Sequence, residues 1–315
     1  MRRLAAKAIG QTLAFVVILA VALLASSCGS GPAPDTDTVT VAGGFPVAVE
    51  RADGRELTFD APPERIISLS PGHTEILFAI GAGDQVIAVD TRSDFPPETE
   101  TRTKFDALGP DVDAIDGLQP DLVVLMAGPD EVVQALDRRG LRVLWLELPE
   151  SLFSLFEQID LLGEITGRVE QAESLVDVID RRALEFLDRV GDAEGPRVYH
   201  ELDNDLTTAS SSDSFIGELY LILNAISIAN DPREPYPRLT LDAIVEADPE
   251  VIILAHSGTS PEAVKARPGW QGISAVKNDR VYAVDPDIVN RPGPRLVDGL
   301  ETLAKLLHPD LFPEP

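Results

Sequence analysis

The chain of 315 residues writes one phrase twice. Asp113-Ala114-Ile115 leads through four residues to Pro120-Asp121-Leu122-Val123-Val124-Leu125. Asp242-Ala243-Ile244, 129 positions later, leads through four residues to Pro249-Glu250-Val251-Ile252-Ile253-Leu254, and neither copy contains a gap. Each copy reads as a short helix, a proline stop and a buried apolar strand. A supersecondary unit repeated at this distance predicts two similarly folded lobes. Two lobes imply a cleft between them, and clefts are where small ligands bind. The repeat also sets one carboxylate, Asp113 or Asp242, at the same place on each lobe.

The rest of the chain agrees with that plan. Residues 46–50 and 56–59 flank Asp53-Gly54, a hairpin signal. Strands are expected at 65–70, 86–89, 121–126 and 142–146, separated by helical runs at 75–80 and 131–139. A second alternation begins at Arg197 with strands at 197–202, 251–254 and 281–284 and helices at 215–223 and 295–307. Strands alternating with helices predict parallel α/β sheets. The middle differs. Leu152, Leu155, Phe156, Ile159 and Leu162 share one helical face, and no Gly or Pro interrupts residues 168–190. That second helix should run for about 20 residues, or ~30 Å. The expected fold is two Rossmann-like α/β lobes with central parallel sheets, joined by a single long α-helix. The lobes span 46–150 and 194–315, and the helical connector spans 151–193.

Residues 1–27 read as a secretory signal: Arg2, Arg3 and Lys7 precede an apolar run from Leu13 to Leu24 and then small residues. The single cysteine of the chain, Cys28, follows directly. The segment resembles a lipobox, with Ala25 where leucine is usual, and so marks Cys28 for lipidation. The alternative is an uncleaved membrane helix. Either reading places the rest of the chain outside the cytoplasm. Residues 28–45 are polar and carry Gly and Pro, as a flexible tether does. The formal net charge is −27, and three of the basic residues belong to the leader. Such an acidic chain lacks the basic footprint that nucleic-acid binding needs.

Five short motifs fall in a recognisable order: Ser68-Leu-Ser-Pro-Gly-His-Thr-Glu-Ile-Leu77, Ser93-Asp-Phe-Pro-Pro97, Gln119-Pro-Asp-Leu-Val123, Pro235-Tyr-Pro237 and Arg291-Pro-Gly-Pro-Arg295. Together they resemble class III substrate-binding proteins of ABC importers, which carry cobalamin, ferric siderophores and haem. The closest likeness is to the cobalamin-binding branch. The resemblance implies a non-enzymatic, monomeric receptor without a resident cofactor or metal. Its partners would be a corrinoid ligand, a permease dimer with its ATPase subunits, and the membrane through the lipid anchor. It also implies that Asp113 and Asp242 dock onto permease arginines, while Asp287, Arg291 and Tyr236 touch the ligand. Asp113 and Asp242 also lie in first helical turns behind candidate caps Asp111 and Thr240, where an acid complements the helix dipole.

The pattern departs from the family in the first lobe. Ala107 or Leu108 and Met126 stand where the best-known cobalamin binder offers tryptophans, and Arg92 replaces a tyrosine. Aromatic residues make up only 5% of the chain. Arg92 together with Arg291 keeps a ferric siderophore or haem open as the ligand. His73 and His200 are the two histidines placed to face the cleft, where imidazole would bind cobalt or iron. A metal-dependent hydrolase would need clustered His and carboxylate ligands with an open position, and the four histidines are scattered.

Overall fold

The computed structural model describes residues 44–126, 130–204, 214–229 and 234–313. The leader, Cys28 and the tether up to residue 43 lie outside the described residues, as does the Ser/Thr run from 207 to 213. Met1–Gly44 forms one unit, of which only Gly44 is described, and Phe45–Pro315 forms the other. No helix among the described residues is long and apolar enough to cross a membrane.

The hairpin pairs β1 (Val47–Glu50) with β2 (Glu56–Phe59). The first parallel sheet contains β3 (Ile66–Ser68), β4 (Val86–Asp90), β5 (Thr103–Phe105), β6 (Leu122–Met126) and β7 (Val143–Leu146), in the order β5-β4-β3-β6-β7. Its helices are α1 (Pro71–Ala79), α2 (Val112–Gly117) and α3 (Asp130–Arg138). Two helices follow, α4 (Leu152–Thr166) and α5 (Val169–Val190). The second parallel sheet orders β8 (Arg197–Glu201), β9 (Ile226–Ser227), β10 (Val251–Leu254) and β11 (Val281–Ala283) as β11-β10-β8-β9. Around it lie α6 (Phe215–Ile222), α7 (Leu241–Ala247), α8 (Pro261–Lys265), α9 (Ser274–Lys277), α10 (Pro286–Val289) and α11 (Leu296–Leu307).

The two copies of the phrase are α2–β6 and α7–β10, and each copy's strand pairs with the first strand of its own sheet. The likeness extends to backbone and side chains. Gln119 and Asp248, the residues before the two prolines, both adopt positive φ, at 49° and 46°. The acid after each proline holds the start of the neighbouring strand. Arg65 N–H donates to Asp121 at 2.9 Å, and Arg197 N–H donates to Glu250 at 2.9 Å. Arg65 Nε then reaches the Gln119 carbonyl at 3.1 Å, and Arg197 Nε reaches the Asp248 carbonyl at 3.2 Å. The expected caps also form, Asp111 accepting from Ala114 N–H and Thr240 from Ala243 N–H.

The central strands β6 and β10 are buried on both faces, as parallel sheets sandwiched by helices require. That is why both read as unbroken apolar runs. Helix α5 runs for 22 residues without interruption. It begins in close contact with α4, because a Cβ on Gly163 would sit 2.4 Å from that of Ala172. Further along, Arg182 pairs with Asp298 and Glu301 of α11 at 2.8 and 3.3 Å. One apolar cluster passes from Leu77 and Leu144 through Leu155 and Ile179 to Leu219 and Leu300, so the two sheets share a core on this side. A large apolar interface of this kind is what keeps lobe motions small.

Strands β5 and β9 are absent from the sequence reading. They are three- and two-residue strands at the sheet edges, too short to show an alternation.

Candidate ligand-binding site

Each sheet switches direction of growth beside its first strand. In the first lobe β4 and β6 flank β3, and in open α/β sheets ligands gather at the carboxyl ends of strands at such a point. A cavity of about 310 Å³ lies there. From the first lobe it is lined by Ser70 after β3, Asp90 and Arg92 at the end of β4, Ala107 and Leu108 after β5, and Met126 at the end of β6. Asp287, Asn290 and Arg291 of the second lobe close the other side. Arg92, Met126, Asp287 and Arg291, four residues singled out from sequence, thus meet in one place.

The polar groups of the cavity are held firmly. Buried Asp90 accepts from Arg92 N–H at 2.7 Å and from Ala107 N–H at 3.2 Å, which ties together the two loops at the ends of β4 and β5. Arg291 Nη2 donates to Asp287 at 2.5 Å and to the Arg92 carbonyl at 3.3 Å. Burial pushes the Asp287 carboxyl up despite the neighbouring Arg291 charge. For Arg291 burial works against the charge, but Glu75, Asp287 and Asp94 outweigh it and its pKa is raised. The buried Ser70 hydroxyl has no partner among the described residues. The lining thus combines cationic and anionic groups with the apolar side chains of Leu69, Leu125 and Met126.

The two histidines lie elsewhere. His73 is buried in the first turn of α1, and its Nε2 meets Gln158 Oε1 at 2.9 Å. His200 is fully buried on β8, with Nδ1 2.6 Å from the Tyr220 hydroxyl and Nε2 3.1 Å from Asn290 Oδ1. Desolvation lowers both pKa values to about 4, against the opposing bonds to Gln158 and Asn290. Both imidazoles are therefore neutral, internally engaged groups that do not line the cavity. The cause is local geometry: His73 lies in the buried first turn of α1 and His200 in the buried interior of β8. Tyr236 also stays off the cavity wall. It is half-buried against the shared core, where burial pushes its phenol up. Tyr199 and Glu201 point to the face of β8 opposite His200, and the Tyr199 hydroxyl donates to Glu201 at 3.1 Å.

Asp113 and Asp242 are exposed on their lobes, Asp113 in an exposed pair with Arg139. Asp242 is flanked by the exposed apolar side chains Leu241 and Val245. Three residues that structure the cleft went unread in the sequence: Glu75, Asp90 and Asn290. Glu75 did leave a signal, as the one carboxylate in α1.

Comparison with known proteins matches the "Periplasmic binding protein" family over residues 66–288. The uncharacterized ABC transporter substrate-binding lipoprotein YvrC of Bacillus subtilis is 32% identical over 311 residues, which is 95% of this chain and 98% of that protein. A cobalamin-binding protein of Halobacterium salinarum is 27% identical, across 93% of this chain and 83% of its own. The solved periplasmic vitamin B12-binding protein BtuF of Vibrio cholerae superposes with a TM-score of 0.67 at 25% identity, over 78% of this chain and 96% of that one. With two parallel sheets, a cleft at their switch points and a family match that spans both, the chain belongs to the periplasmic binding protein family, as a class III substrate-binding protein of the kind that serves ABC importers.

Proposed function

We propose that this protein is a lipid-anchored receptor that binds a corrinoid in the cleft and delivers it to an ABC importer outside the cytoplasm. The observation that carries the reading is the convergence of Asp287 and Arg291 from the second lobe on Arg92 and Met126 of the first. A carboxylate beside a guanidinium matches the amide rim of a corrin, and relatives named for cobalamin or vitamin B12 binding support the choice. Titrating the protein in parallel with cyanocobalamin, haemin and a ferric hydroxamate tests it. Binding of cyanocobalamin alone is expected, and binding of haemin alone would overturn the assignment. A ferric siderophore is the second reading, because Arg92 and Arg291 set two guanidinium groups at one cavity, which suits the anionic oxygen donors of such a chelate.

Asp113 and Asp242 would then seat the two lobes on the permease. The Asp113–Arg139 pair does not oppose this, since both partners are about half exposed or more and such surface pairs contribute at most ~1 kcal/mol. A permease arginine can displace it. Replacing both aspartates with lysine is expected to leave cyanocobalamin affinity unchanged while abolishing uptake in cells. Undiminished uptake by the double variant would rule out docking through these residues.

A further inference from the structure

We propose that Glu75 is the positioning residue of the cleft: its buried carboxylate grips Arg291 and Arg295 from the opposite lobe, which sets the lobe separation in the unliganded protein and aims Arg291 at the cavity. Glu75 lies on α1, with its side chain 2% exposed. Arg291 Nη1 donates to its Oε1 at 2.8 Å, Arg295 Nη2 to the same oxygen at 2.6 Å, and Arg295 Nε to Oε2 at 3.0 Å. One carboxylate therefore holds two guanidinium groups that lie more than 200 residues away in sequence. Arg295 is 19% exposed and Arg291 9%, so solvent screens these bonds far less than surface pairs.

The surroundings form a socket for the Arg291-Pro-Gly-Pro-Arg295 segment. Arg291 Nη1 also donates to Asp94 at 3.1 Å, and the Arg295 guanidinium stacks 4.2 Å from the centre of the Phe95 ring. Gly72 permits the backbone to meet, because a Cβ there would lie 2.3 Å from the Pro292 carbonyl oxygen. The two arginines thus sit at the ends of a stiff, proline-bearing segment, and both point to one acid. A cavity of about 310 Å³ is at the small end for ligand sites. Arg291 keeps its aim at the cavity only while Glu75 holds it.

The test measures interlobe distance in the full-length protein without ligand, using genetically encoded spin labels at the exposed positions Glu131 and Glu262. Wild type is expected to give one narrow distance distribution. Glu75→Gln, which keeps the size and removes the charge, is expected to shift it to longer and broader values with an unchanged far-UV spectrum. Arg295→Gln should move it the same way, and it decides the matter alone if Glu75→Gln does not fold. Wild-type distributions in the folded variants would overturn the proposal. A second measurement rests on the corrinoid reading: Glu75→Gln should weaken cyanocobalamin binding although Glu75 does not line the cavity. Failure of wild type to bind cyanocobalamin would sink that reading and leave the distance result standing.

Discussion

Replacing Arg267 with methionine is expected to remove about 3–5 kcal/mol of folding stability, the usual consequence of stranding one partner of a buried ion pair. The stranded group is Glu201, at the end of β8, whose side chain has no exposed surface. Arg267 meets it with two bonds, at 2.5 and 2.7 Å, and lies 4.6 Å from the centre of the Trp270 ring. His256 Nε2 and the Tyr199 hydroxyl, each 3.1 Å away, are the remaining partners, and neither carries a permanent positive charge. Chemical denaturation checks the loss. The double variant Glu201→Gln with Arg267→Met should be markedly more stable than Arg267→Met alone, because it leaves no buried charge behind. A single variant within 1 kcal/mol of wild type would show that the pair does not hold this end of the sheet.

The protein is expected to lose stability as pH falls from about 6.5 to about 4, by ~3 kcal/mol for each of His73 and His200. Desolvation holds both at about 4 in the folded state, against a model value of 6.5. Between those values the unfolded chain takes up protons that the folded chain refuses. Stability from this source is thus fully present above 6.5 and is lost as pH falls toward 4. Burial pushes the Glu218 and Asp160 carboxyls up, so those groups act in the opposite sense. Urea unfolding at pH 7.5 and 4.5 measures the difference, and His73→Gln with His200→Gln should remove most of it. Equal unfolding free energies at the two pH values would contradict the burial of both rings as neutral imidazoles.

These two expectations lie where residue type and spacing were a poor guide. His73 and His200 sit in loop-adjacent and strand-end positions that face a cleft in many α/β lobes. Their burial depends on Gln158, Tyr220 and Asn290, which come from 20 to 90 residues away. Arg291 was legible from its motif, but its grip on Glu75 spans 216 positions. The repeated phrase was legible for the opposite reason, since its helix, turn and strand are specified within a dozen residues and recur with the same φ signs at Gln119 and Asp248.

The amino-acid order alone determined the two α/β lobes, the long helix between them and the caps Asp111 and Thr240, because periodicity, proline stops and capping act over a few residues. Tertiary structure alone decided which charged groups converge on the cleft, which histidines are withdrawn from it and where the lobes touch. Those outcomes depend on close approaches such as that of Gly72 to Pro292, and a contact between residues so distant in the chain leaves no local pattern in it.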